Sequence, residues 1–241
     1  MIGLGTLINT AAILVGGLLG FLAGKGIKSS FQRTIEQALG LSTMFLGISG
    51  AMEKMLTAAS DGTLSSAGSM MFILSMALGA IAGEWINLEG KFEQFGQWLK
   101  TISHSEQDTG FIDGFLTTSF TVCIGAMAII GSIRDGIYGD YTILMAKSVL
   151  DFIIVMIMTA SKGKGPVFSA IPVFVLQGGM TLLAKLIQPM MTDMALHNLS
   201  MVGSALIFCV GVNLVWGKTI KVANLLPAVV FAVIFAFLPV G

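Results

Sequence analysis

The run 131–152, GSIRDGIYGDYTILMAKSVLDF, sets charges and glycines into a chain that is otherwise largely apolar. Within it, Lys147 and Asp151 are spaced i, i+4, one turn apart on the same helix face. If Tyr141 opens a membrane helix, Asp151 lies ten residues in, roughly 15 Å deep at ~1.5 Å per residue. That is near the middle of a hydrocarbon core about 30 Å thick. A lone carboxylate at that depth costs about 3 kcal/mol even on the lenient insertion scale, so it is expected to face protein or water and to have a partner. Lys147 supplies one. The pair is then either a structural salt bridge or a polar centre on a permeation path.

The preceding apolar segment carries Asp113, Thr117 and Thr121 at i, i+4, i+8, a polar stripe that should face protein or a water-filled cavity. It continues to Gly125 and Gly131, where an interrupted helix could expose carbonyls to an ion or solute. Arg134, Asp135 and Asp140, around Gly136 and Gly139, read either as a solvated external turn or as an outer vestibule of the same path. Asn9, beside a Gly16, Gly20, Gly24 ridge, is expected to hydrogen-bond across a helix interface. Asn213 and Asn224 are further supporting polar residues. Gln177 can bridge helices, and Pro172 is expected to kink its segment.

Other chemistries find little support. There is no nucleophile elbow, phosphate loop, HExxH or dinucleotide fingerprint, which disfavours an enzyme. His197 has no cysteine or acidic neighbour at metal-ligand spacing, and His104 stands in a polar loop. The sixteen methionines are spread as in pliable packing rather than a copper site, so no metal or cofactor is expected. Cys123 and Cys209 fall in apolar segments and read as buried thiols. Basic and acidic residues balance at thirteen each without a block of like charge, so nucleic acid is not an expected partner.

Membrane helices must position these residues. The chain is 55% hydrophobic and 11% charged, against about 25% charged in soluble domains, and its mean hydropathy is +0.89. The fold class is therefore all-α, a polytopic membrane protein in a lipid bilayer. Apolar windows give eight candidate spans: 4–24, 37–55, 69–86, 112–133, 141–160, 167–187, 199–216 and 222–240. The first lacks a positive leading segment and reads as a membrane helix rather than a signal peptide. Alternate loops collect most of the thirteen basic residues: Lys25, Lys28 and Arg33, then Lys91 and Lys100, Lys162 and Lys164, Lys218 and Lys221. The positive-inside rule puts those loops in the cytoplasm and both termini outside. Between spans three and four, residues 88–102 set Phe92, Phe95, Leu99 and Ile102 at helical spacing opposite Glu89, Glu93, Gln97 and Lys100. That pattern fits a helix lying in the headgroup plane on the cytoplasmic side, with a soluble amphipathic hairpin as the alternative. No separate soluble domain is long enough to exist, so residues 1–241 read as a single membrane domain.

Residues 18–27, LLGFLAGKGI, align without gaps on 77–86, ALGAIAGEWI, and AKSVLDF in span five resembles VANLLPA in span eight. Spans three to five and six to eight thus read as inverted three-helix repeats, a frequent plan of secondary transporters, with spans one and two a partial copy. Chance alignment of glycine-rich helices is the alternative.

The residues IN at 8–9 before the glycine ridge, GAIAGE at 79–84, DGIYGDYTILMAKSVLDF at 135–152 and NLLPA at 224–228 together resemble the YdfK/YqgA-like bacterial inner-membrane proteins, domain-of-unknown-function family 554. The likeness covers nearly the whole chain, and the GD, K and LD positions of the central run are its most specific part. It implies a multi-pass protein of the bacterial cytoplasmic (inner) membrane suspected of transport. It implies no substrate, mechanism or site residue. The residues themselves point to a transporter or channel for an ion or small polar solute, with Asp113, Thr117, Thr121, Lys147 and Asp151 lining a central path. The alternative is a non-transporting scaffold or regulator in which the same charges fix helix packing. A homo-oligomer stays open, because the Gly16, Gly20, Gly24 ridge can pack between subunits as well as within one.

Overall fold

A computed structural model describes residues 2–24, 29–58 and 62–238. Lys25 and Lys28 of the first basic loop, and residues 25–27 of the first repeat copy, lie outside the described residues. Helices α1 (Leu4–Gly24) and α2 (Ser29–Met55) lead into a short antiparallel hairpin, β1 (Leu56–Ala58) with β2 (Leu64–Ser66). Then come α3 (Ser69–Ile86), α4 (Leu88–Ile102), α5 (Phe111–Cys123), α6 (Ala126–Tyr138) and α7 (Thr142–Lys162). A 3-10 turn (Gly165–Ser169) precedes α8 (Ala170–Leu182) and α9 (Ala184–Ile187). After a second such turn (Gln188–Met190), α10 (Asp193–Trp216), α11 (Val222–Leu225) and α12 (Pro227–Phe235) follow.

The fold is all-α and polytopic. Among the described residues, five helical stretches are long and apolar enough to cross a membrane: α1, α3, α7, Gly165–Leu182 and α10. The α5–α6 pair, bent by 60° at its break, makes a sixth if it is one span. Gly125 sits at that break with φ +149°, a conformation that L side chains rarely adopt. Two of the eight expected spans fall short of this measure. Residues 37–55 form the larger part of α2, whose glycines, hydroxyls and charges lower its mean hydropathy, and the last is the short apolar helix Val222–Phe235. Span six begins as a 3-10 turn that passes into α8 at Ala170, so Pro172 falls in the first turn of α8, where a missing N–H is tolerated. Helix ends follow local chemistry. Asn87 closes α3 in the left-handed region with its N–H on Glu84 O, and Thr192 caps α10 by accepting from Ala195 N at 3.2 Å.

The chain divides into two compact units, each described by itself. Unit 1 comprises Met1–Leu39, Gly90–Cys123 and Met127–Ile187. Here the α1 glycine ridge lies against the α7 backbone. A Cβ at Gly16 would come within 2.5 Å of Phe152 O, one at Gly24 within 2.7 Å of Ala160 O, and one at Gly20 would collide with Met156 O. Small residues are what let membrane helices approach this closely. The ridge therefore packs inside the chain. Ile13, Val122, Val155, Ala170 and Val173 form a buried apolar core beside it. The expected amphipathic helix is α4, and its apolar stripe is divided: Phe92 and Phe95 pack edge-on against Phe120 and Phe115 of α5 and Leu99 is buried, whereas Trp98 and Ile102 remain exposed.

Unit 2 comprises Gly40–Glu89, Ile124–Ala126 and Gln188–Gly241. Gly79 and Gly83 bring α3 onto Ala228 and Asn224, and Gly40 and Gly47 bring α2 onto α10 at Val215 and Phe208. Met71, Met201, Val202, Ala228 and Ala232 form its core. The ridges of α1 and α3, aligned by sequence, thus both seat against backbone. Their pairings differ, because α1 runs parallel to α7 while α3 runs antiparallel to α11–α12.

Candidate functional site

The apolar run of α7 leaves its two charges no solvent, and the helix turns both inward. Lys147 is 7% and Asp151 2% exposed, and Nζ donates to Oδ2 at 2.5 Å and to Oδ1 at 2.7 Å. The partner foreseen one turn away is therefore in place. Two further helices complete the group. Asn9 Nδ2 of α1 donates to Asp151 Oδ2 at 2.9 Å and to Gln177 Oε1 of α8 at 3.2 Å, and both carboxamides are fully buried. The close approach of α1 to α7, enforced by the glycine ridge, is what brings Asn9 within reach.

The second predicted group stands apart from this one. Asp113, half exposed, pairs with Lys162 Nζ at 2.5 Å at the other end of α7. Thr117 Oγ1 donates to Asp113 Oδ1 at 3.5 Å and Thr121 Oγ1 to Thr117 O at 2.8 Å, so the stripe is real and internally bonded. Asp151 and Lys162 are separated along α7 by roughly 16 Å at 1.5 Å per residue. Of the expected vestibule, Arg134 and Asp140 form a solvent-facing pair at 2.8 Å. Hydrogen bonds from the Thr142 hydroxyl and amide, then Arg134, hold the Asp140 carboxyl below its ordinary value. Asp135 is fully buried, and its oxygens accept from the free N–H groups of Gly3 and Gly5 at the start of α1.

Asn213 and Asn224 belong to unit 2 and serve its connections. Asn213 Oδ1 accepts from Thr219 N and Ile220 N while its Nδ2 donates to Ile220 O. Asn224 Oδ1 accepts from Glu89 N at 2.7 Å, and Glu89 Oε2 accepts in return from Ala223 N at 3.0 Å.

Several polar residues gained weight only from the structure. Among the described residues, buried side-chain atoms without a hydrogen-bond partner are Thr6 Oγ1, Asn9 Oδ1, Thr118 Oγ1, Ser119 Oγ, Thr159 Oγ1, Ser169 Oγ and Gln177 Nε2. All of them lie in unit 1, on α1, α5, α7, the 3-10 turn and α8. Buried polar groups are nearly always bonded, so these atoms, spread along the length of unit 1, hold hydrogen-bonding capacity that the protein itself leaves unused. In the sequence, Ser119 and Thr159 are ordinary helix hydroxyls, whereas Asn9 and Gln177, carboxamides in apolar runs, stood out.

The arrangement now has a family context. The family model described as Protein of unknown function (DUF554) matches residues 4–237. The chain belongs to the DUF554 family. It is 29% identical to the Bacillus subtilis protein named Uncharacterized membrane protein YdfK, over 97% of both chains. It is likewise 29% identical to Escherichia coli Uncharacterized protein YqgA, over 95% of this chain and 94% of the relative. No solved structure matches this DUF554 chain significantly.

Proposed function

We infer that this DUF554 protein is a transporter or channel of the bacterial inner membrane, carrying an ion or small polar solute through unit 1. The observation that carries the reading is the buried Lys147, Asp151, Asn9, Gln177 group together with the unbonded polar atoms confined to the same unit. Asp113, Thr117 and Thr121 extend the polar route toward Lys162, and Arg134 and Asp140 offer charges at the opposite end of α7.

Packing directions support eight crossings with both termini outside. Contacts between α1 and α7 rise together, from Gly5 on Tyr141 to Gly24 on Ala160, so the two helices are parallel. Parallel membrane helices have an odd number of crossings between them. α3 and the α5–α6 pair supply two; a crossing α2 supplies the third. Within unit 2, α2 and α10 run antiparallel, as an even number of intervening crossings requires. The basic residues Lys91, Lys100, Lys162, Lys164, Lys218 and Lys221 then share the cytoplasmic side. The inverted-repeat reading rests on the sequence likeness alone, since the α1 and α3 ridges pair in opposite directions.

A second reading, a scaffold in which the charges only fix packing, is favoured by the direct contact of Lys147 with Asp151. Flux separates the two. Purified protein in liposomes should pass solute above the protein-free level, and Asp151→Asn should abolish this while the protein stays folded. Equal flux by mutant and wild type removes Asp151 from the mechanism, and no flux of any solute leaves the scaffold.

A further inference from the structure

The spare hydrogen-bonding capacity around the Lys147–Asp151 pair differs in kind from atom to atom. Asn9 Oδ1 is an unbonded acceptor on the carboxamide whose Nδ2 already donates to Asp151. Gln177 Nε2 is an unbonded donor on the carboxamide whose Oε1 accepts from Asn9. Thr6 Oγ1, one turn before Asn9 on the same face of α1, is unbonded and can act either way. All three side chains are at most 2% exposed.

Charge balance narrows what such a group can hold. The group is formally neutral, one ammonium against one carboxylate with two carboxamides. A simple anion drawn to Lys147 would take the counter-ion from Asp151, and a simple cation on Asp151 would do the same to Lys147. Leaving either charge buried and unpaired is the strongly unfavourable case. An uncharged polar solute can hydrogen-bond to both groups but compensates neither charge, so it does not replace the ion pair it would separate. A zwitterion keeps the balance: its carboxylate on Lys147 and its ammonium on Asp151 exchange one ion pair for two. The spare atoms complete the match, Gln177 Nε2 as a further donor to the carboxylate and Asn9 Oδ1 as a further acceptor for the ammonium.

Beside Thr6, the helix contact at Gly178 leaves room for a methyl group. Gly178 and Gly179 follow Gln177 on α8, yet neither serves close packing as Gly16 and Gly24 do. A Cβ at Gly178 would come no nearer than 3.9 Å, to Thr6 Cγ2, and one at Gly179 would meet nothing within 4 Å.

We propose that Lys147, Asp151, Asn9 and Gln177 form the binding site for a small zwitterion of the amino-acid class, its ammonium and carboxylate a few atoms apart. This rests on the transport reading and names its substrate class. The test is uptake by the full-length protein in liposomes of labelled glycine and L-alanine, beside methanesulfonate and tetramethylammonium, which keep a single fixed charge. Saturable uptake of glycine or alanine but of neither ion is expected. Lys147→Gln and Asp151→Asn should each lower it by more than about thirtyfold. Glycine should also raise the melting temperature of the wild type in detergent and of neither variant. The wild-type selectivity decides the matter even where a variant fails to fold. No uptake of glycine or alanine overturns the zwitterion, whatever else the vesicles pass. Conductance and osmotic swelling of the same vesicles then tell whether transport falls with it: a signal there keeps the transport reading and rejects only the substrate class.

Discussion

Replacing Lys147 by Met removes an ammonium from a carboxylate that is 2% exposed and leaves Asn9 Nδ2 as its side-chain donor. At the 2.7 Å separation of Nζ from Oδ1, the attraction is about 6 kcal/mol for an effective dielectric of about 20. Desolvating the two ions offsets several kcal/mol each, so the pair as a whole contributes close to nothing. Breaking it by one substitution is another matter, because an uncompensated charge stays buried at a cost of about 3–5 kcal/mol. Lys147→Met and Asp151→Leu should therefore each destabilise strongly, while the two together restore wild-type stability or exceed it. Unfolding by increasing SDS in mixed micelles, followed by circular dichroism, measures all four proteins on one scale. Flux should be lost in the double variant even though its stability returns. A double variant as unstable as the singles would refute the energetic argument, and one that still transports would refute the functional role of the pair.

The surroundings of two helical glycines predict substitution effects of opposite sign. Gly20→Ala pushes a methyl into Met156 O and should destabilise by about 1–3 kcal/mol, whereas Gly179→Ala meets open space and should gain up to about 1 kcal/mol of helix propensity; thermal unfolding in detergent compares them. Asn224→Ala strips the buried Glu89 N–H of its acceptor and should cost about 1–3 kcal/mol, with loosening at the start of α4 visible by hydrogen exchange. Asp140 titrates below its ordinary 3.8 in the folded protein, so its contribution is present above that value and fades as pH falls through the lower folded one. Melting temperature should accordingly drop more steeply below about pH 4 in the wild type than in Asp140→Asn.

Continuous apolar runs made α1 and α3 legible to the residue, and the period of Phe92, Phe95 and Leu99 did the same for α4. Where composition was mixed, legibility fell. The polar first turns of α2 read as loop although they are helical, and the glycine- and serine-rich stretch after it hid a hairpin. At the site, Lys147 and Asp151 are local in sequence, so spacing alone predicted their contact. The contribution of Asn9 was invisible as a contact, because 142 residues separate it from Asp151 and only the ridge geometry joins α1 to α7. Asn213 and Asn224 look like Asn9 in sequence and differ in role, since each lies where a helix ends and a loop's N–H and C=O groups need partners. Asp135 likewise reads as an exposed turn residue, and it is buried because the start of α1 presents unpaired amides to it.

The central claim is that a solute passes Asp151 in unit 1. The most direct measurement is solute flux into liposomes holding equal amounts of wild-type protein and Asp151→Asn, each verified as folded by its elution profile and circular dichroism. Flux in the wild type and none above protein-free vesicles in the variant is the predicted result; equal flux in both, or none in either, would contradict it.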